Sequence, residues 1–369
     1  MKRLVCFQLL NDYSGSPKML KTVLDGFCRE GVVVDLYTSG TYGVLDELKV
    51  HPNFRMHSYY YNFSDNPMVT LVRYLWVQLL TFIWTWRYLV TKDVVFYVNT
   101  LLPIGPALTG RMIGKRVVYH YHENADVKGA FYKFLAAGMQ KLAHEIICVS
   151  GYQSQYLKRQ DIVTVVPNAI PNELLKKLHP NIDAAYNHKK VLMIGSLKEY
   201  KGTVEFFQLA VAMPEYPFVL VLNQTQENID AFVRDKCLSI PENLTIYPRQ
   251  SDVAQFYNQS TVVLNLSNKE LFVETFGLTA LEAMSAGLPV IVPTEGGISE
   301  MVEDGVNGYK IDVQHLNKIQ EAITRMLKDE PLYKKLAQNA LEYSRQYNEG
   351  NMIKHISDII WKNNNKILK

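Results

Sequence analysis

Short, nearly continuous apolar runs recur along the chain, separated by longer stretches in which apolar residues return every three or four positions. A run without polar alternation marks a strand buried on both faces, and the longer period marks a helix with one inward face. In the first half the runs lie at Leu4–Leu10, Val32–Thr38, Val94–Asn99, Arg116–Tyr121, Glu145–Val149 and Ile162–Val166. In the second half they lie at Val191–Ile194, Phe218–Leu222, Leu244–Tyr247, Val262–Leu266 and Pro289–Val292. Strands alternating with helices predict βαβ units and parallel sheets, an α/β fold. The polar interval from about Pro171 to Lys189 has no strong apolar period and is the expected linker. It separates a domain of residues 1–170 from one of 189–350, with a last helical segment in 351–369.

One stretch departs from this rhythm. Tyr59, Tyr60, Tyr61, Phe63, Tyr74, Trp76, Phe82, Trp84, Trp86 and Tyr88 crowd together, no acidic residue intervenes from Asn66 to Lys92, and Arg73, Arg87 and Lys92 are basic. Met68 to Val90 is long enough to span a bilayer. It contains Arg73, Gln78 and Arg87, however, and strands of one sheet flank it. An interfacial helix fits better, with aromatic rings at headgroup depth and arginines toward anionic lipid. The other reading is a long amphipathic helix packed on the sheet. Residues 66–92 are the expected peripheral membrane contact.

With 369 residues, 48% hydrophobic and 20% charged, the chain can bury two sizeable cores. A net charge of +3 gives no ground for a nucleic-acid partner. Cys6, Cys28, Cys148 and Cys237 lie far apart and read as reduced thiols rather than a disulfide framework or zinc site. The opening segment, Met1 to Asp12, is interrupted by Gln8 and lacks a small-residue cleavage site, so it reads as a first strand of a cytoplasmic protein.

Ligands of open parallel sheets bind outside the carboxyl ends of the strands, and each candidate motif sits at such an end. After the first strand come Gly15, Ser16 and Pro17, with Ser16 suited to a helix N-cap and Pro17 to the first helical position. His120 and His122 follow another strand, and alternation points both to one side. No third metal ligand stands at suitable spacing, and no Asp-x-Asp occurs, so no metal is expected. Asn168 lies in the string Pro167-Asn-Ala-Ile170. The run from Val191 enters Gly195-Ser196-Leu-Lys198-Glu-Tyr-Lys201-Gly202, a glycine and lysine loop of the kind that holds phosphate. Arg249 follows the strand ending at Tyr247.

The most informative stretch is Glu274-Thr-Phe276-Gly277-Leu278-Thr-Ala-Leu-Glu282-Ala-Met-Ser-Ala-Gly-Leu-Pro289. Leu278, Leu281, Met284 and Leu288 recur at helical spacing, which predicts a short helix starting near Phe276 or Gly277. Its first N–H groups and positive end suit a phosphate, and Gly277 allows close approach. Glu274 and Glu282 flank that helix start and suit sugar hydroxyls beside the phosphates.

The Glu-x7-Glu spacing, the following Gly-Leu-Pro-Val-Ile, Gly296-Gly297-Ile-Ser-Glu300 and Glu303-Asp-Gly-Val-Asn-Gly308-Tyr together resemble the donor site of glycosyltransferase family 4. The resemblance covers nearly the whole chain, most specifically residues 191–202 and 262–309. It implies a GT-B fold, two Rossmann-like doubly wound domains facing each other across a cleft, with the last helix crossing back to the first domain. It implies retaining, metal-independent transfer from a nucleotide-diphosphate sugar to a sugar hydroxyl, with no cofactor. The acceptor expected from the aromatic stretch is a lipid-linked glycan at the inner face of the cell membrane. In family terms Glu274 and His122 are the catalytic candidates, Glu274 holding the donor sugar and His122 contacting it, and Glu282 takes the ribose. The diphosphate rests on Lys201 and on the N–H groups of Phe276, Gly277 and Leu278. Gly15, Asn168, Ser196 and Arg249 occupy the remaining donor positions. This chain departs from the pattern at Ser196, where the family has arginine, at Ala169, where it has glycine, and in having one glycine at its first loop. Two alternatives stay open: a non-catalytic sugar-nucleotide-binding scaffold, and a sugar-nucleotide epimerase on the same fold.

Overall fold

The computed structural model describes residues 2–125 and 129–362. The chain forms two compact units, one of residues up to 169 together with those from 349, the other of residues 170–348.

The first unit is built on a seven-stranded parallel sheet: β1 (Arg3–Phe7), β2 (Val33–Ser39), β3 (Phe54–Tyr59), β4 (Val94–Asn99), β5 (Arg116–Tyr121), β6 (Glu145–Cys148) and β7 (Val163–Val165). Its order is β3-β2-β1-β4-β5-β6-β7. Alternation sends Val5, Phe7, Phe96 and Val98 into one buried cluster and Leu4, Cys6, Val95 and Tyr97 into another, so both faces need helices over them. The helix Gly15–Arg29 and the last helix, Glu349–Ile360, cover the second face. Those two helices touch at Gly26, where a Cβ would stand 2.5 Å from Ile353.

The second unit carries a six-stranded parallel sheet: β8 (Val191–Gly195), β9 (Phe218–Leu222), β10 (Leu244–Tyr247), β11 (Val262–Leu264), β12 (Val290–Val292) and β13 (Gly308–Lys310), in the order β10-β9-β8-β11-β12-β13. The order reverses between β1 and β4 in one sheet and between β8 and β11 in the other. At such a switch point the connections diverge to opposite faces and leave a crevice beyond the strand ends.

Three expectations need correction. Strands β3 and β13 lie outside the apolar runs, because edge strands carry polar residues or are very short. The interval read as a linker forms two short helices, Asn172–Leu175 and Ile182–His188, within the second unit. Thr261 Oγ1 donates to the Ala185 carbonyl at 2.6 Å and ties that interval to the sheet. The first long helix starts at Gly15 with Ser14 as its N-cap residue, so Ser16 and Pro17 lie inside its first turn. Asp12 fixes this entry by accepting from the Ser14 N–H (2.9 Å) and hydroxyl (2.6 Å).

The helix Pro67–Trp84 is amphipathic in an inverted sense. Tyr74, Val77, Gln78, Thr81 and Thr85 are buried, whereas Val72, Leu75, Trp76, Leu79 and Ile83 are exposed, Trp76 at 62%. Inward polar groups find partners: Gln78 Oε1 accepts from Gly105 N at 2.9 Å, and Thr81 and Thr85 hydroxyls donate to Val77 and Thr81 carbonyls. Gly105 lets the neighbouring helix Ile104–Met112 come this close, since a Cβ there would meet the Gln78 carbonyl at 2.2 Å. By length and composition alone Pro67–Tyr88 could cross a membrane. It is also the crossover between β3 and β4 of one sheet, packed against it through Tyr74 and Val77.

Candidate active site

In the second unit, the loops after β8 and β11 meet at the switch point. Gly202 makes this possible: its φ is +75°, and a Cβ would stand 2.4 Å from the Leu266 carbonyl oxygen. The Asn268 N–H donates to the Tyr200 carbonyl at 2.8 Å across the same junction. The contact delivers Lys201 to Glu274, and their side chains form an ion pair. Ser267 Oγ donates to the same carboxylate oxygen at 2.8 Å. The Lys201 ammonium lies 4.8 Å from the centre of the Phe272 ring, which stacks on Tyr200. Burial pushes the Glu274 carboxyl upward, but the Lys201 charge and hydrogen bonds from Lys201, Ser267 and Asn265 outweigh it and hold the group below its ordinary value. Glu274 is an anion at neutral pH.

The backbone around Glu274 is equally constrained. The Gly297 N–H donates to the Glu274 carbonyl at 2.8 Å, and a Cβ on Gly296 would press within 2.5 Å of that oxygen. Gly277 has φ +92° and serves as N-cap residue of the helix Leu278–Ser285. A Cβ there would meet Ile298 at 2.4 Å. The helix therefore begins at Leu278, with Phe276 buried just before it. Its leading N–H groups have no carbonyl partner within the helix, the general condition of a helix start. Further along, Glu282 Oε2 accepts from the Tyr257 hydroxyl at 2.6 Å. Tyr257 is fully buried, and burial pushes its phenol far up, so it acts as a fixed donor.

Of the other donor-side candidates, Ser196 follows β8, and its carbonyl accepts from the Lys198 N–H at 2.8 Å. The Lys198 side chain is exposed. Arg249 is exposed and its Nε donates to Asn223 Oδ1 at 2.7 Å, beyond the end of β9.

The first unit holds His122, Gly15 and Asn168. His122 follows β5, and its Nε2 stands 3.0 Å from Asn99 Oδ1 at the end of β4. Asn99 Nδ2 reaches Gln8 Oε1 at 2.7 Å, just past the end of β1. The His120 and His122 rings do lie on one side, their centres 4.2 Å apart, and His120 Nδ1 meets the Tyr97 hydroxyl at 2.6 Å. Desolvation holds His122 at about 3 and His120 far below its ordinary value, so both are neutral at pH 7. Gly15 is exposed at the start of its helix. Asn168 is buried, and its Oδ1 has no hydrogen-bond partner among the described residues.

Sequence reasoning passed over Gln8, Asn99, Ser267 and Tyr257. Gln8 and Asn99 carried a signal, since each is a polar residue interrupting or closing an apolar strand run. Ser267 and Tyr257 carried none, because only folding brings them to the glutamates. Among the described residues no group of three or more His, Cys, Asp or Glu side chains could hold a metal ion.

Two parallel sheets with helices between the strands, each with a switch point, match the architecture of GT-B proteins. The sequence model described as Glycosyltransferase Family 4 matches residues 13–174, and that described as Glycosyl transferases group 1 matches 176–343. The chain belongs to this glycosyltransferase family. An uncharacterized glycosyltransferase of Methanocaldococcus jannaschii is 28% identical over 60% of this chain and 60% of its own length. The N-acetyl-alpha-D-glucosaminyl L-malate synthase of Bacillus anthracis is 27% identical over 50% of this chain and 55% of its own. The chain thus spans little more than half the length of these relatives. Among solved structures, Anabaena HepE in complex with UDP and glucose matches with a TM-score of 0.76 at 17% identity, covering 98% of this chain and 100% of that one. WaaG, a glycosyltransferase involved in lipopolysaccharide biosynthesis, matches at 0.69 and 16%, covering 97% and 99%.

Proposed function

We propose that the protein transfers a sugar, with retention at the anomeric carbon and without a metal ion, from a nucleotide-diphosphate sugar to a hydroxyl of a second sugar. The observation that carries this is the Lys201–Glu274 pair beside the Gly277 helix start. The diphosphate would compete for Lys201 and settle against the N–H groups of Phe276, Gly277 and Leu278, where negative charge building on the leaving group is stabilised. Glu274, released from its lysine, would then accept hydrogen bonds from donor-sugar hydroxyls. Glu282, steadied by Tyr257, would take the ribose. His122 toward the sugar, and Gly15, Asn168, Ser196 and Arg249 toward the rest of the donor, are assigned by family resemblance. The UDP and UDP-glucose bound in HepE structures make uridine the base to test first.

The acceptor in this reading is a lipid-linked glycan in polysaccharide synthesis, reached from the inner face of the membrane. The inverted helix Pro67–Trp84 supports it: an apolar stripe on a helix whose polar groups are buried has no solvent function, and patches of this kind mark interaction surfaces. Phe134, 68% exposed on the helix Ala130–Leu142, and exposed Phe131, whose ring meets Tyr74 edge-on, continue the apolar surface. Arg73, Arg87 and Lys92 provide the charge that anionic lipid would attract.

A thermal-shift panel of UDP, GDP, ADP and CMP with their sugar conjugates tests the donor site, followed by transfer to lipid-linked sugars. A rise in Tm with one nucleotide, then product, is the expected result. Binding without transfer would favour a scaffold, and no shift with any nucleotide would overturn the donor site itself.

A further inference from the structure

We infer that Gln8 and Asn99 are positioning residues that hold His122 as its neutral Nε2–H tautomer. The register of the first sheet starts the argument. Phe7 pairs with Val98, so Gln8 and Asn99 stand side by side at the adjoining ends of β1 and β4, where the strand order reverses. Both are buried. Next along the sheet Asn99 pairs with His120, and the His122 ring lies beside that of His120, tilted by 40°.

The direction of each hydrogen bond follows from one group that cannot change its role. The Leu10 carbonyl only accepts, and Gln8 Nε2 lies 3.1 Å from it. Gln8 must therefore turn Oε1 toward Asn99. That oxygen only accepts, so Asn99 presents Nδ2 to it at 2.7 Å. Asn99 is left with Oδ1 facing His122 Nε2 at 3.0 Å. An amide oxygen cannot donate, so Nε2 carries the hydrogen. Turning Asn99 over would set two oxygens 2.7 Å apart, and turning Gln8 as well would set its oxygen against the Leu10 carbonyl. The chain Leu10–Gln8–Asn99–His122 is thus consistent in one sense only.

A neutral imidazole has one N–H, so Nδ1 is the acceptor of this ring. An acceptor suits a sugar hydroxyl and disfavours a phosphate oxygen. This inference rests on the reading that His122 meets the donor sugar, and it sharpens that reading: His122 selects a hydroxyl and takes no part in holding the diphosphate. Tyr97, bonded to His120 instead, and the neutral His120 ring do not compete for Nε2.

Long-range 15N–1H spectra of the full chain, with His122 assigned by subtracting the His122→Ala spectrum, read the tautomer directly. The Nε2–H pattern is expected near pH 7, and the Nδ1–H pattern or an imidazolium would overturn the assignment. Gln8→Met removes the acceptor that orients Asn99 and should mix the tautomers and lower kcat/KM for the donor about fivefold, the scale of one lost hydrogen bond. A Gln8→Met protein that stays folded with an unchanged spectrum and unchanged kinetics would remove the relay. Should His122→Ala leave transfer untouched while the wild-type spectrum shows Nε2–H, the sugar contact fails and the tautomer assignment survives.

Discussion

The ammonium of Lys201 is paired with the carboxylate of Glu274, 73 positions away, through two loops that meet at a single glycine. Each charge is mostly buried, so each depends on the other. Removing one partner strands the other in a poorly solvated place, which costs more than the pair itself contributes.

Lys201→Met should therefore destabilise the protein by roughly 1–3 kcal/mol and weaken nucleotide-diphosphate binding. Adding Glu274→Gln should restore much of the stability and none of the binding. Urea denaturation and calorimetric titration separate the two effects. Equal stability losses in the single and double variants would mean that the ion pair is not the interaction being broken.

The same pair sets an acid limb of stability. The folded state holds Glu274 below its ordinary value, so the unfolded chain binds the proton first as pH falls. The contribution is complete above the unfolded-state value and is lost as pH drops through the folded one. His122 acts in the same direction: the unfolded ring protonates near its model value of 6.5, whereas the folded ring resists until about 3. Stability should decline from about pH 6.5 downward, and Glu274→Gln should flatten the lower part of that slope. A denaturation series from neutral to acid pH measures it.

Glu282→Ala should weaken nucleotide binding by ~1–3 kcal/mol, and Tyr257→Phe by about 1 kcal/mol, because the tyrosine only orients the carboxylate. Comparing a nucleotide with its 2′-deoxy analogue locates the effect. Unchanged affinity in Glu282→Ala would remove the ribose role.

Gly277→Ala places a side chain at φ +92° and against Ile298, so it should cost about 1–3 kcal/mol in strain and overlap. It should also shift the N–H groups that would receive the diphosphate. A variant with wild-type Tm and wild-type nucleotide affinity would show that the helix start tolerates a side chain.

Replacing Trp84 and Trp86 with serine should release the protein from anionic vesicles, measured by co-sedimentation at low and high salt. Both residues are partly exposed, at 37% and 39%, and Trp84 also packs against the buried Tyr37 ring, so the Tm of the variant is measured beside its vesicle binding. Absence of vesicle binding by the parent protein would end the membrane proposal.

The amino-acid sequence by itself determined the α/β class, most strands and the region of the donor-site candidates. Buried parallel strands need unbroken apolar runs, and a phosphate-binding helix start needs a glycine such as Gly277, so both leave local marks. It did not reveal β3, whose edge position permits Arg55 and Ser58 to be exposed, or the helices inside the polar interval 171–189. The aromatic stretch was legible as unusual but not in its orientation. Only packing shows that Gln78, Thr81 and Thr85 turn inward while Trp76 turns out, because hydropathy cannot register polar groups satisfied by a neighbouring helix, as for Gln78, or by carbonyls of their own, as for the threonines. The tertiary structure alone decided that Lys201 meets Glu274, Tyr257 meets Glu282, and Gln8, Asn99 and His122 form one chain of hydrogen bonds. Such contacts depend on strand order, which hydrogen bonding between distant segments sets and no local pattern encodes.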